Sequence, residues 1–115
     1  MPHVVRLGLI DLEAAWRGLP SGPWRWGATV ARAEGRYLAA GSRSLLVAGV
    51  VVEYARPQHP VLLVSLRGDE TAVHLWPPAA VEATDGVKRF LARIACELVA
   101  FGAGQVTTTN IPDLL

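Results

Sequence analysis

The chain has 115 residues, of which 51% are hydrophobic and 18% charged, and its formal net charge is +1. This length is that of one ordinary domain, so we expect a single domain over residues 1–115. The composition excludes intrinsic disorder, which needs few apolar residues and a large net charge, and it excludes a disulfide scaffold, because Cys96 is the only cysteine.

The first part of the chain predicts a strand followed by a short helix. Residues 3–10 are apolar with one charge, which indicates a strand. Asp11 can accept hydrogen bonds from the unpaired amides of a helix over residues 12–18. Trp16 lies on the apolar face of this helix, so we predict that it belongs to the core. Residues 19–23 contain two prolines and a glycine and are predicted to form a loop.

Residues 24–76 predict an antiparallel meander. We expect strands at 24–34, 37–40, 44–55, 61–66 and 71–76, separated by turns or loops at 34–36, 41–43, 56–60 and 67–70. Alternation in the strand at 24–34 places Trp24, Trp26 and Val30 on one face and Arg25 on the other. The strand at 44–55 is apolar at nearly every position, which is typical of a central strand covered on both faces. Gly49 within it indicates a bulge or a close backbone approach.

A long helix and a short strand complete the prediction. The helix begins at either Pro78 or Thr84 and ends before Gly102, and residues 106–109 are rich in β-branched side chains. The predicted fold is therefore α+β, with a mostly antiparallel sheet of five to seven strands. A short N-terminal helix precedes the sheet, and a long C-terminal helix packs on one of its faces.

The back of the long helix carries a stripe of small, nearly uncharged residues: Ala92, Ala95, Cys96 and Val99. Small side chains allow a second helix to approach closely. We therefore predict a homodimer that pairs these helices around a two-fold axis. The alternative is that the N-terminal helix covers this stripe within one chain.

Residues 14–33 hold three Trp and three Arg and no acidic residue. A sheet that displays aromatic rings for base stacking, with Arg beside the phosphates, can hold a single nucleic-acid strand. The predicted binding residues are Trp24, Arg25, Trp26, Arg32 and Arg36, together with His59 and His74. This site exists only if the Trp face points outward; if it points inward, the rings are core.

No motif identifies a catalytic or metal site. The three histidines lack the short-spaced pairing of metal ligands, so we predict no metal and no cofactor and name no catalytic residue. An enzyme would require a pocket that holds at least two of His59, His74, Asp69 and Glu70.

We therefore expect a small non-catalytic binding or assembly protein, homodimeric, whose other partner is an unknown protein or a small ligand. The apolar runs are about eight residues long, whereas a membrane helix needs about 20. No signal peptide is evident, so we expect a soluble cytoplasmic protein without a membrane partner. Single-stranded nucleic-acid binding is the first alternative, and a small enzyme built from separate strands is the second.

Overall fold

The chain forms one antiparallel sheet with its helices packed on one side. A computed structural model describes residues 1–41 and 43–115. The helices are α1 (Leu12–Gly18) and α2 (Asp85–Glu97), with 3₁₀ turns at Leu98–Phe101 and Pro112–Leu114. The strands are β1 (His3–Leu7), β2 (Trp24–Trp26), β3 (Thr29–Leu38), β4 (Ser44–Glu53), β5 (Arg56–Gln58), β6 (Val61–Arg67), β7 (Glu70–Leu75) and β8 (Val106–Thr109). The predicted α+β fold is confirmed, with eight strands in the sheet.

The strand order is β2-β3-β4-β6-β7-β1-β8, and β5 pairs with β4. The predicted meander is confirmed, because β2, β3, β4, β6 and β7 are neighbours in chain order, with the short β5 paired to the end of β4. Both ends of the chain complete the sheet, since β1 pairs antiparallel with β7 on one side and with β8 on the other.

The prediction of one strand over residues 24–34 was wrong. Gly27 adopts a left-handed φ of 60°, which turns the chain and separates β2 from β3. The predicted turn at 34–36 is instead an irregularity within β3, where the pairing with β4 shifts register between Ala33 and Gly35. Trp24 therefore pairs with Ala31, and the two Trp side chains share a face with Ala31 and not with Val30.

The predicted loop at 56–60 begins as a strand. Tyr54 and Ala55 form a tight turn with φ values of 50° and 64°, and β5 then returns along the end of β4. The predicted turn at 41–43 includes Ser42, which lies outside the described residues.

Both helix starts follow from capping. The Asp11 carboxylate accepts a hydrogen bond from the Ala14 amide at 3.1 Å, as predicted. α2 begins after Thr84, whose hydroxyl oxygen accepts from the Val87 amide at 3.3 Å. The Glu53 carboxylate from β4 also accepts from the Gly86 amide at 2.9 Å.

The core lies between the sheet and α2. The ring of Phe90 sits against Gly49, where a Cβ atom would be only 2.5 Å from two of its ring carbons. The predicted close backbone approach at Gly49 is thereby confirmed. Trp16, in contrast, is not a core residue: it is 37% exposed, and its indole N–H donates to the Arg36 carbonyl at 3.1 Å. The buried residues of α1 are Leu12 and Ala15, so this short helix contacts the core through its first turn.

Candidate binding face

The second face of the sheet is apolar at its centre, and no helix of the described residues packs on it. Along β4, Leu45, Val47 and Val51 are fully buried and belong to the same core cluster as the buried residues of both helices. The alternating residues of β4 point to the opposite side and are half-buried. We call this second side the open face. Its central apolar residues are Val30, Leu46, Ala48, Val50, Val52, Val61 and Leu63.

The prediction that the strand at 44–55 is covered on both faces was wrong for the chain by itself. Both helices contribute their buried residues to one core cluster on the side of Val47. The 3₁₀ turn at Pro112–Leu114 contacts α2 on that same side. The helices therefore cover β4 on one face only, although its sequence is apolar on both faces.

Aromatic and charged residues surround this apolar centre. Tyr37 pairs with Leu46 across β3 and β4 and is 61% exposed. Trp76 follows β7, where its amide donates to the Val61 carbonyl at 2.8 Å, and it is 37% exposed. Tyr, Trp and Arg are the residues most enriched at the energetic centres of protein interfaces.

Two depressions lie on the open face. One, of about 420 Å³, is lined by Pro23, Val30, Ala31, Arg32, Glu34, Val50 and Val52. The other, of about 230 Å³, is lined by Met1, His3, Val5, Arg67, Ala72 and His74. They lie at opposite ends of the sheet, because β3 and β1 are separated by β4, β6 and β7.

The predicted Trp/Arg site is divided between the two faces. Trp24 lies on the helix side, with its ring centroid 6.2 Å from that of Phe90 and the Arg93 guanidinium 5.7 Å from its own. Trp26 also packs against the core. Arg25 pairs with Val30 on the opposite face and is exposed. The Trp face therefore points inward, and these two rings do not form an exposed stacking platform.

The other predicted binding residues are also separated. Arg32 is exposed and forms an ion pair with Glu34 at 3.4 Å. Arg36 lies on the helix side of β3, where its guanidinium donates to the Leu19 carbonyl. His59 is exposed in the loop after β5. His74 lies on the open face, directly opposite His3.

The small-residue stripe of α2 is only partly accessible. Ala92 and Ala95 are buried within the chain, whereas Cys96 is exposed and Val99 is 54% exposed. The four residues therefore do not share one exposed surface. A helix-to-helix dimer would have to rest on Cys96, Val99 and their neighbours.

The residues named for an enzyme are not gathered in one pocket. His74 lines the 230 Å³ cavity without the other three. Glu70 accepts a hydrogen bond from the Thr107 hydroxyl at 2.6 Å, and Asp69 is exposed in the turn before it. Within residues 1–41 and 43–115, no group of three or more His, Cys, Asp or Glu side chains could hold a metal ion.

A larger cleft of about 460 Å³ lies between α1 and β3, beside Trp16 and Arg17. Its cations already have protein partners. Arg17 pairs with Glu13 at 2.9 Å, and Arg36 donates to the Leu19 carbonyl. This cleft therefore offers a ligand little unpaired charge.

The sequence prediction missed the open face together with His3, Arg67 and Trp76. One signal could have found it: the strand at 44–55 needs cover on both faces, yet the sequence predicts only one long helix. No protein-family model, no curated protein and no solved structure matches the chain. In the part of the chain that the structure describes, neither helix has the length and hydropathy of a membrane span.

Proposed function

We propose that this chain is a non-catalytic assembly protein that forms a homodimer by packing the open faces of two sheets against each other. One observation carries this proposal. β4 has the sequence of a strand buried on both faces, and its own chain covers only one of them. The cytoplasm suits the exposed Cys96, because thiols stay reduced there.

The size of the open face supports an interaction surface. The apolar centre covers three strands about 4.8 Å apart and residues 46–52 of β4 at about 3.4 Å each, which gives on the order of 300 Å² in projection. The largest apolar patch of a typical soluble monomer is of about this size and often marks an interaction site. The charged residues lie at the margins of this patch, so a partner could cover its centre without burying an unpaired charge.

The shape of the open face favours a second copy as the partner. Two twisted sheets pack about 10 Å apart when their twists match, and a second copy supplies the same twist and the same apolar centre. A two-fold dimer also places Leu46, Val50 and Leu63 of one protomer against equivalent side chains of its partner.

Two matched Val→Glu substitutions test which surface forms the dimer. Val50→Glu places a carboxylate on the open face, beside Arg32 on β3. Because burying that charge at an interface costs several kcal/mol, we expect the dimer dissociation constant to rise at least about 100-fold. Val99→Glu changes an exposed residue of the 3₁₀ turn that follows α2, and we expect no effect on association.

Analytical ultracentrifugation gives the mass, and circular dichroism verifies that each variant is folded. Val50→Glu should sediment at the chain mass of 12.3 kDa, and Val99→Glu at twice that value. The reverse result would move the dimer to the helix surface. Dimers in both variants would also contradict an interface on the open face.

Single-stranded nucleic acid is a second candidate, favoured by a different set of residues from the one predicted. Tyr37 and Trp76 are exposed aromatics on the open face, and Arg25 and Arg32 are exposed on the same face. Stacking on an aromatic ring contributes about 1–3 kcal/mol per base, so Tyr37→Ala should weaken binding about 10-fold without changing stability.

Fluorescence anisotropy of a labelled single strand measures this binding at low and moderate salt. Trp24→Ala is the matched control, because it removes a core ring instead of an exposed one; it should lower the unfolding midpoint. Absence of binding by the intact protein at low salt would rule this candidate out.

A further inference from the structure

The 230 Å³ cavity at the β1 end of the open face gathers two histidines and one arginine from three strands. His3 belongs to β1, Arg67 to β6 and His74 to β7, and the floor is formed by Val5 and Ala72. His3 and His74 are direct partners across the β1–β7 ladder, so their Cα atoms are about 5 Å apart.

Arg67 has no acidic partner among the residues that line the cavity. None of the lining residues is Asp or Glu, and Arg67 takes part in none of the ion pairs of the described residues. The nearest acidic residue in register is Glu70, which pairs with Arg67 across β6 and β7. Its carboxylate already accepts a hydrogen bond from the Thr107 hydroxyl at 2.6 Å.

Both imidazoles keep ring nitrogens that make no hydrogen bond within the described residues. His3 donates through Nδ1 to the Met1 carbonyl at 3.2 Å, so its Nε2 becomes a second donor in the imidazolium form. His74 makes no side-chain hydrogen bond within the described residues. The Arg67 guanidinium adds a planar fork of donors that can bind two oxygens at once.

We propose that this cavity binds a terminal phosphoryl group, as inorganic phosphate or as a small phosphate monoester. A tetrahedral dianion presents three oxygens, one for each of the donors from β1, β6 and β7. A carboxylate presents only two oxygens and one negative charge, so it would leave one donor unused. The small apolar floor of Val5 and Ala72 leaves room for the anion between the donors.

Phosphate binding should be linked to protonation of His74. Burial lowers the pKa of His74 below 6.5, and the charges of Arg67 and His3 lower it further. The charged and titratable groups that face it are His3 from β1, Arg67 from β6 and Glu70 from its own strand. A bound dianion favours the imidazolium form and raises this pKa. The affinity for the dianion should therefore increase as the pH falls toward and below 6.5. Phosphate itself takes up a proton in this pH range, so dissociation constants are compared per dianion.

Isothermal titration calorimetry of the full chain with inorganic phosphate tests the site at about pH 6 and about pH 8. We expect tighter binding at the lower pH and proton uptake on binding. Arg67→Gln should weaken binding by at least about 10-fold, since it removes a charge-assisted bidentate contact. Arg56→Gln is the matched control: it removes the same charge from β5, outside the cavity, and should bind as the intact protein does.

Equal weakening by Arg67→Gln and Arg56→Gln would show a general charge effect and an adventitious ion only, and would overturn the proposal. Failure of the intact protein to bind phosphate at about pH 6 would do the same. A single-stranded oligonucleotide that binds more tightly than phosphate, and equally in Arg67→Gln, would assign the contact to backbone phosphates and also overturn it. Val50→Glu should bind phosphate normally, so this site and the dimer are tested separately.

Discussion

Gly86 occupies the second position of α2, where alanine would ordinarily favour the helix by up to about 1 kcal/mol. Here a Cβ atom would overlap the carboxyl group of Glu53. That carboxylate accepts hydrogen bonds from the Gly86 amide and from the Thr84 hydroxyl. The glycine therefore gives Glu53 access to the helix N-terminus, where a negative charge is favourable.

A double-mutant cycle tests this contact by urea unfolding. Gly86→Ala should lower the free energy of unfolding by about 1–3 kcal/mol, because the carboxylate must move and lose its partners. In a Glu53→Ala background the same substitution should instead raise it, by up to about 1 kcal/mol. Stabilisation by Gly86→Ala in both backgrounds would contradict this role for the glycine.

Gly49 and Trp16 show which features of a residue's surroundings the sequence can predict. Gly49 was predicted as a bulge or a close approach, because glycine in a strand leaves room for another group; the Phe90 ring occupies that room. Trp16 was predicted as core from helical spacing alone. Spacing gives the direction of a side chain but not the depth of the core beneath it, and α1 lies at its margin, where the ring stays 37% exposed.

At the scale of the element, the hairpin between β4 and β5 has an unfavourable turn sequence. Both central residues, Tyr54 and Ala55, have positive φ values of 50° and 64°, a conformation that favours Asn-Gly. Because that signal is missing, the sequence predicted a continuous strand to residue 55. Tyr54 is 81% exposed, so packing does not explain its presence.

Ala55→Gly should therefore raise the free energy of unfolding by about 0.5–1 kcal/mol, because glycine adopts positive φ without a steric cost. Thermal unfolding followed by circular dichroism measures the effect. Ala28→Gly is the matched control, since Ala28 follows the β2–β3 turn residue Gly27 but does not have a positive φ. The control should be neutral or destabilising; equal stabilisation by both substitutions would refute the strain at Ala55.

Strand faces depend on where a turn lies. Alternation over 24–34 would place Trp24 with Val30, but the turn at Gly27 pairs Trp24 with Ala31. One unrecognised turn therefore reversed which residues share a face with the Trp pair. For the same reason Arg32 lies on the open face with Arg25 and Val30, and not on the Trp side, where continuous alternation would place it.

For the whole molecule, the sequence predicted the α+β class, the meander and the start of α1, because these depend on local periodicity and capping. It left the start of α2 open between Pro78 and Thr84, and the structure has Thr84 as the cap. The sequence did not predict that β1 lies between β7 and β8, since pairing between distant segments has no local signal. That placement brings His3 beside His74 and Arg67. The cavity that we propose as a phosphate site therefore could not have been predicted from residues that are far apart in the chain.

The open face can likewise be recognised only from the arrangement of the whole molecule. The apolar sequence of β4 predicts cover on both faces, and the described chain supplies cover on one. We infer that the missing cover is a second copy.

The most direct measurement is the sedimentation-equilibrium mass of the unmodified protein over a series of concentrations. Dimerisation predicts a mass that approaches twice the 12.3 kDa of the chain as the concentration rises. A mass that remains at 12.3 kDa at every concentration would contradict it.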